Sequence, residues 1–95
     1  MRIEFTARFR DWLDALTDLP GRARVQARIQ RLAAGNPGHH RVLLEGVCEL
    51  KIDAGPGYRV YYVRRGADLI VLLAGGDKRS QARDIRASLA LARNL

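Results

Sequence analysis

A chain of 95 residues holds one small domain, residues 1–95, with a single modest core. With 47% hydrophobic residues disorder is excluded, and no apolar run approaches the roughly 20 residues of a membrane span. A net charge of +7 points to a polyanionic partner, nucleic acid or an acidic protein.

The opening RIEF alternates Ile3 and Phe5 with charges, as an edge strand does. Thr6 is placed to cap a first helix, whose buried face carries Phe9, Trp12, Leu13 and Leu16 beside Phe5. DLPGRARVQARIQRLAAGNPG spells a second helix. Asp18 caps it, Pro20 sits in its first turn, and Val25, Ile29 and Leu32 form its buried stripe. Arg24, Arg28 and Arg31 run beside that stripe, and Arg28 and Arg31 are candidate RNA contacts. Two helices with so short a link form a hairpin. His39 and His40 fall in a Gly/Pro-flanked loop without partners at metal-ligand spacing. No metal or cofactor is expected.

The period then changes to two. In VCELKID, Cys48, Leu50 and Ile52 form the apolar parity, and Glu49 and Lys51 the other. Cys48, the single cysteine, reads as a small buried hydrophobe. AGPG is a turn, and YRVYYVRR alternates Tyr58, Val60 and Tyr62 against Arg59 and Tyr61. LIVLLA is apolar throughout, as in a strand covered on both faces. After GGDK a last helix spans about 79–93, capped by Ser80, with Ile85, Leu89 and Ala92 on its inner face. The expected architecture is α+β, in the order β-α-α-β-β-β-α. A helical hairpin covers one face of a small twisted antiparallel sheet, and the other face is partly open.

On that open face the parity places Glu49 and Lys51 on one strand and Arg59 and Tyr61 on the next. Gly75 and Gly76 let the chain turn and deliver Lys78, Arg79 and Arg83 to the same end. Such a patch suits a phosphodiester. RNA carries its own nucleophile, the 2′-hydroxyl, so a metal-free enzyme needs a base, fixed cations for the phosphorane, and an acid. The candidate catalytic residues are Lys51, Arg59, Lys78 and Arg79. Arg83 and Tyr61 join Arg28 and Arg31 as RNA contacts. No histidine is placed for proton transfer, which leaves Lys51, Glu49 and Asp84 as acid–base candidates; Asp84 also suits the helix dipole.

CELKIDAGPGYRVYYVRRG followed by LLAGGDKRSQARDI, with AAGNPG and LLEGVCELKI before it, resembles the HigB-like addiction-module-killer branch of the RelE/ParE toxin superfamily. The resemblance spans nearly the whole chain. It implies a RelE-like fold and the toxin half of a type II toxin–antitoxin pair. In ribonuclease members the toxin enters the ribosomal A site and cleaves mRNA with basic residues, which map onto Lys51, Arg59, Lys78 and Arg79. It also implies a cytoplasmic protein with a cognate antitoxin of helix-turn-helix type, in a complex such as a heterotetramer. An acidic antitoxin segment would mask the basic patch. Two departures stand out. SQARDI replaces the tyrosine or histidine many relatives carry near the last helix, and Glu49 stands where some have a second basic residue. The alternatives are a ParE-type inhibitor of DNA gyrase and a non-catalytic RNA-binding domain. On this reading, Arg59→Ala leaves the fold intact and abolishes toxicity.

Overall fold

The computed structural model describes residues 1–95. The chain forms strand β1 (Arg2–Phe5), helices α1 (Ala7–Ala15) and α2 (Leu19–Ala33), strands β2 (His40–Val42), β3 (Val47–Ile52), β4 (Tyr58–Arg65) and β5 (Leu69–Gly76), a 3-10 turn (Lys78–Ser80) and helix α3 (Gln81–Arg93). The five strands lie in the order β1-β5-β4-β3-β2. No helix is long and apolar enough to cross a membrane.

The caps predicted for the first two helices are present. The Thr6 hydroxyl accepts from Phe9 N at 3.1 Å and donates to the Leu73 carbonyl at 2.7 Å, so it starts α1 and ties it to β5. Asp18 Oδ1 accepts from Gly21 N at 3.1 Å, while Oδ2 accepts from the Tyr58 hydroxyl at 2.8 Å, which fastens the start of α2 to β4. The predicted faces also hold, except that Phe5 belongs to β1 and is exposed. Phe9, Leu13, Val25, Ile29 and Leu32 from the helices pack with Leu50, Ile52, Tyr58, Val60, Tyr62, Ile70 and Leu72 in one core. Cys48 lies half-buried at its margin, and burial raises its thiol pKa.

Three expectations fail. The sheet is mixed rather than antiparallel, because β1 runs parallel to β5, with Ile3 opposite Ile70. Alternation marks a strand but says nothing of its partner. Residues 40–42 form an extra edge strand, antiparallel to β3. And the second face is largely covered: α3 lays Ala92, Ile85 and Leu89 over Val47, Tyr61, Val63, Val71, Leu73 and Ala74. Only the end of the sheet near Lys51 and Arg59 stays uncovered.

A β-bulge sets what happens at that end. Tyr61 pairs with Ala74 but Tyr62 pairs with Leu72, so Leu73 is an extra residue on β5. Leu73 and Ala74 therefore both belong to the α3-side core, and the parity beyond them is reversed. Gly75 now faces α1 and Gly76 faces α3. A Cβ on Gly75 would run into the Trp12 ring, and one on Gly76 into the Asp84 carboxylate and the Ser80 hydroxyl. Neither glycine has a positive φ. They are needed for close approach, not for a sharp turn as the sequence suggested.

Candidate active site

Strand register assembles the site. Arg41, Glu49, Tyr61 and Ala74 stand opposite one another across four strands. One step towards the sheet end, Lys51, Arg59 and Gly76 form the next row on the same face. The N–H of Lys51 donates to the His39 carbonyl at 3.0 Å, which brings the chain before β2 alongside this row. The result is a cleft of about 340 Å³ lined by His39, His40, Arg41, Glu49, Lys51, Arg59 and Gln81, none of them hydrophobic.

Glu49 is the centre of this arrangement and is only 2% exposed. Its Oε1 accepts from Arg41 Nε at 2.8 Å and from Arg59 Nη1 at 3.3 Å, and its Oε2 accepts from Gln81 Nε2 at 3.0 Å. Burial pushes the carboxyl pKa up, but hydrogen bonds led by that from Arg41 outweigh it and hold it below the ordinary value. Glu49 is thus an anion whose oxygens are occupied. It positions two guanidinium groups, and both its oxygens are hydrogen-bonded, which weighs against the acid–base role expected of it. Arg59 is itself 7% exposed. Its removal would strand a buried carboxylate, so Arg59→Ala does not leave the fold untouched.

The GGDKRSQARD cluster divides. The Asp77 carboxylate caps the 3-10 turn, accepting from Arg79 N at 2.8 Å and Ser80 N at 3.3 Å. Ser80 holds the N-cap position of α3, as expected, but its side chain makes no capping bond to that helix. Its hydroxyl accepts from Asp77 N at 3.1 Å and donates to Asp84 Oδ2 at 2.5 Å. Asp84 is buried and also faces Arg8 at 3.5 Å and Arg83 at 3.8 Å. It ties the start of α3 to Ser80 and to α1 while lying against Gly76, and it has no opening towards substrate. Arg79 and Arg83 line a second cleft of about 470 Å³ at the end of β5, with Trp12, Gly75, Gly76, Asp77 and Ser80. Lys78 is exposed and stands beside Gly57 of the β3–β4 turn. The one patch expected is two basic clefts, and Lys78 lines neither.

Two proposed RNA contacts are corrected. Tyr61 is fully buried beneath α3, and burial followed by the neighbouring Glu49 carboxylate drives its hydroxyl pKa far up. It offers nothing to an RNA. Arg28 spends its guanidinium on backbone carbonyls, those of Lys51 at 2.7 Å and of Pro37 and His39 at 2.9 Å. Burial lowers its pKa. It staples the α2–β2 connection to the end of β3. Arg31, one turn on, is exposed and lines neither cleft.

His39, His40, Arg41 and Gln81 enter the site unannounced by sequence reasoning. The missed signal is LLEGVC. Leu43 N donates to Val47 O at 2.8 Å and Val47 N to Leu44 O at 2.9 Å, closing a turn whose central Glu45 and Gly46 have φ of 55° and 80°. Two positive φ values mark the turn type that joins hairpin strands. An apolar–EG–apolar segment therefore predicts a strand before it, and with it Arg41 opposite Glu49. No group of three His, Cys, Asp or Glu side chains is gathered as metal ligands.

Residues 11–95 match the model of the phage-derived protein Gp49-like family. A Haemophilus influenzae protein described only as uncharacterized is 42% identical over 95 residues, covering 100% of this chain and 96% of its own length. With the match running through every element that builds the cleft, from α1 to α3, the chain belongs to the phage-derived Gp49-like family.

Proposed function

We propose that this Gp49-like protein is the toxin of a type II toxin–antitoxin pair of the RelE/ParE superfamily. It acts in the cytoplasm as a ribosome-dependent mRNA endoribonuclease that needs no metal or cofactor. The observation that carries this reading is the Lys51–Arg59 row, with Arg41 behind it, held by Glu49 and Gln81 in a wholly polar cleft. Cleavage by the RNA's own 2′-hydroxyl builds charge on a pentacoordinate phosphorane. Cations already fixed around that position stabilise it without reorganising. Arg59 uses one N–H on Glu49, and a guanidinium has five. Lys51 contributes a compact ammonium beside it, and Lys78 a further exposed charge by the β3–β4 turn. Arg79 and Arg83 in the second cleft hold flanking phosphates.

The antitoxin covers these clefts with an acidic segment and belongs to the helix-turn-helix class, in an assembly such as a heterotetramer. The charge of +7 supports an acidic partner.

Primer extension on a defined mRNA, with and without ribosomes, tests the proposal. New cuts appear only with ribosomes and vanish for Lys51→Ala, a half-buried residue with no side-chain partner to strand. A protein that kills cells yet produces no cuts refutes the nuclease. One observation favours the second reading, poisoning of DNA gyrase: Arg59 is buried and already paired with Glu49. In that case DNA supercoiling changes and mRNA stays whole.

A further inference from the structure

The cleft lacks one thing the reaction requires, a group to take the 2′-hydroxyl proton. Glu49 is a fully engaged anion, Asp84 is buried elsewhere, and Arg41 and Arg59 are guanidinium groups. Two imidazoles remain, and the sheet distinguishes them. His40 pairs with Leu50 and Arg41 with Glu49, so His39 stands opposite Lys51 in the same register. The Lys51 N–H bond to the His39 carbonyl at 3.0 Å shows that the register extends that far. Alternation gives His39 the face of Arg41, whose Nε reaches Glu49. His40 takes the opposite face, beside Leu50 and Cys48. Its Nδ1 donates to the Gly38 carbonyl at 2.8 Å, and besides the cleft it borders a second pocket with Cys48 and Tyr62.

We propose that His39 is the general base of the cleavage, an inference that rests on the ribonuclease reading. His39, Lys51 and Arg59 then form a continuous row of base, ammonium and guanidinium. Directly opposed side chains in such a row have Cβ atoms about 4.5–5.5 Å apart, which is the scale of a ribose and its 3′-phosphate. Arg28 anchors the row from α2 by binding the carbonyls of both His39 and Lys51. The His39 ring is exposed, and its only hydrogen bonds to the protein are made by its backbone. The charged groups around it are Arg41 on β2, Glu49 and Lys51 on β3, Arg59 on β4 and Arg28 on α2. Gln81 of α3 is neutral.

The step balances as follows. The neutral imidazole removes the proton from the 2′-hydroxyl, and the oxygen's electron pair forms the P–O2′ bond. The P–O5′ bond then breaks, and the leaving 5′-oxygen takes a proton from the Lys51 ammonium. The products are a 2′,3′-cyclic phosphate and a 5′-hydroxyl. Water returns the proton from imidazolium to lysine.

The test is single-turnover cleavage of ribosome-bound mRNA by wild type and His39→Gln across a pH series. Loss of a general base lowers the rate of His39→Gln by about 10²–10⁴-fold. Its profile also lacks the fall in rate on the acid side that imidazole protonation imposes on wild type. Circular dichroism and ribosome binding stay the same for both proteins. Cleavage by His39→Gln near the wild-type rate, with the acid limb intact, overturns the assignment while leaving the nuclease standing. A wild-type lane with no cuts removes the nuclease reading and His39's role together.

Discussion

Replacing Glu49 with glutamine keeps the side chain's volume and removes its charge. The carboxylate is 2% exposed, and of its cationic partners the side chain of Arg59 is 8% exposed and that of Arg41 56%. The Arg41 contact is solvated and is worth about 0–1 kcal/mol. The Arg59 contact is different, because its charge remains buried once the anion is gone. Breaking a buried pair costs about 3–5 kcal/mol, and the glutamine oxygen still accepts one hydrogen bond, so the lower end, about 3 kcal/mol, is expected. Against a total stability on the order of 5–10 kcal/mol, this leaves a folded but weakened domain. With a urea m-value of about 1 kcal/mol/M, the unfolding midpoint read by circular dichroism falls by about 3 M. Adding Arg59→Met to Glu49→Gln restores most of that, since the double variant leaves no buried charge without a partner. The pH dependence has a definite sign. The folded-state pKa of Glu49 is lowered, so its contribution is present above the unfolded value and disappears as pH falls through the folded one. Acid unfolding of wild type shows that limb, and Glu49→Gln lacks it. A midpoint loss corresponding to under about 1 kcal/mol refutes the view that Glu49 neutralises a buried Arg59.

Thr6→Ala removes a helix cap and the tie to the Leu73 carbonyl together. It costs about 1–2 kcal/mol, seen as a drop in Tm of about 4–8 °C per kcal/mol in a domain of this size. Gly76→Ala forces a methyl group into the Asp84 carboxylate and the Ser80 hydroxyl, both part of the start of α3. It destabilises by at least about 1–3 kcal/mol, and hydrogen exchange of the α3 amides rises first. On the alkaline side, the Tyr58 and Tyr61 pKa values are both raised in the folded state, chiefly by burial. Their contribution is complete below the unfolded tyrosine value of about 10 and declines above it. Unfolding and tyrosinate absorbance therefore appear together rather than in sequence.

Much of the fold was legible because it is written in local chemistry. Thr6 and Asp18 cap helices through bonds spanning three residues, and Val25, Ile29 and Leu32 share a face by helical period alone. The inward parity of Leu50, Ile52, Tyr58, Val60 and Tyr62 follows from the same logic at period two. The basic cluster was legible as composition but not as geometry. Nothing near Arg79 announces that it lines a different cleft from Arg59, and nothing in HHRV has the length to show alternation.

By itself the sequence determined the α+β class, the ends and buried faces of the helices, and which parity of β3 and β4 carries charge. Each of these depends on residues within a turn or two of one another. Only the tertiary structure decided that β1 joins β5 in parallel, that α3 buries Tyr61, and that Arg28 is spent on carbonyls. It alone placed Lys51 between His39 and Arg59, and a single extra residue at Leu73 set which side Gly75 and Gly76 face. Strand partners and register are settled by the free energy of the whole packed sheet. A slip of one position exchanges its faces, and the short sequence around each strand holds no record of that choice.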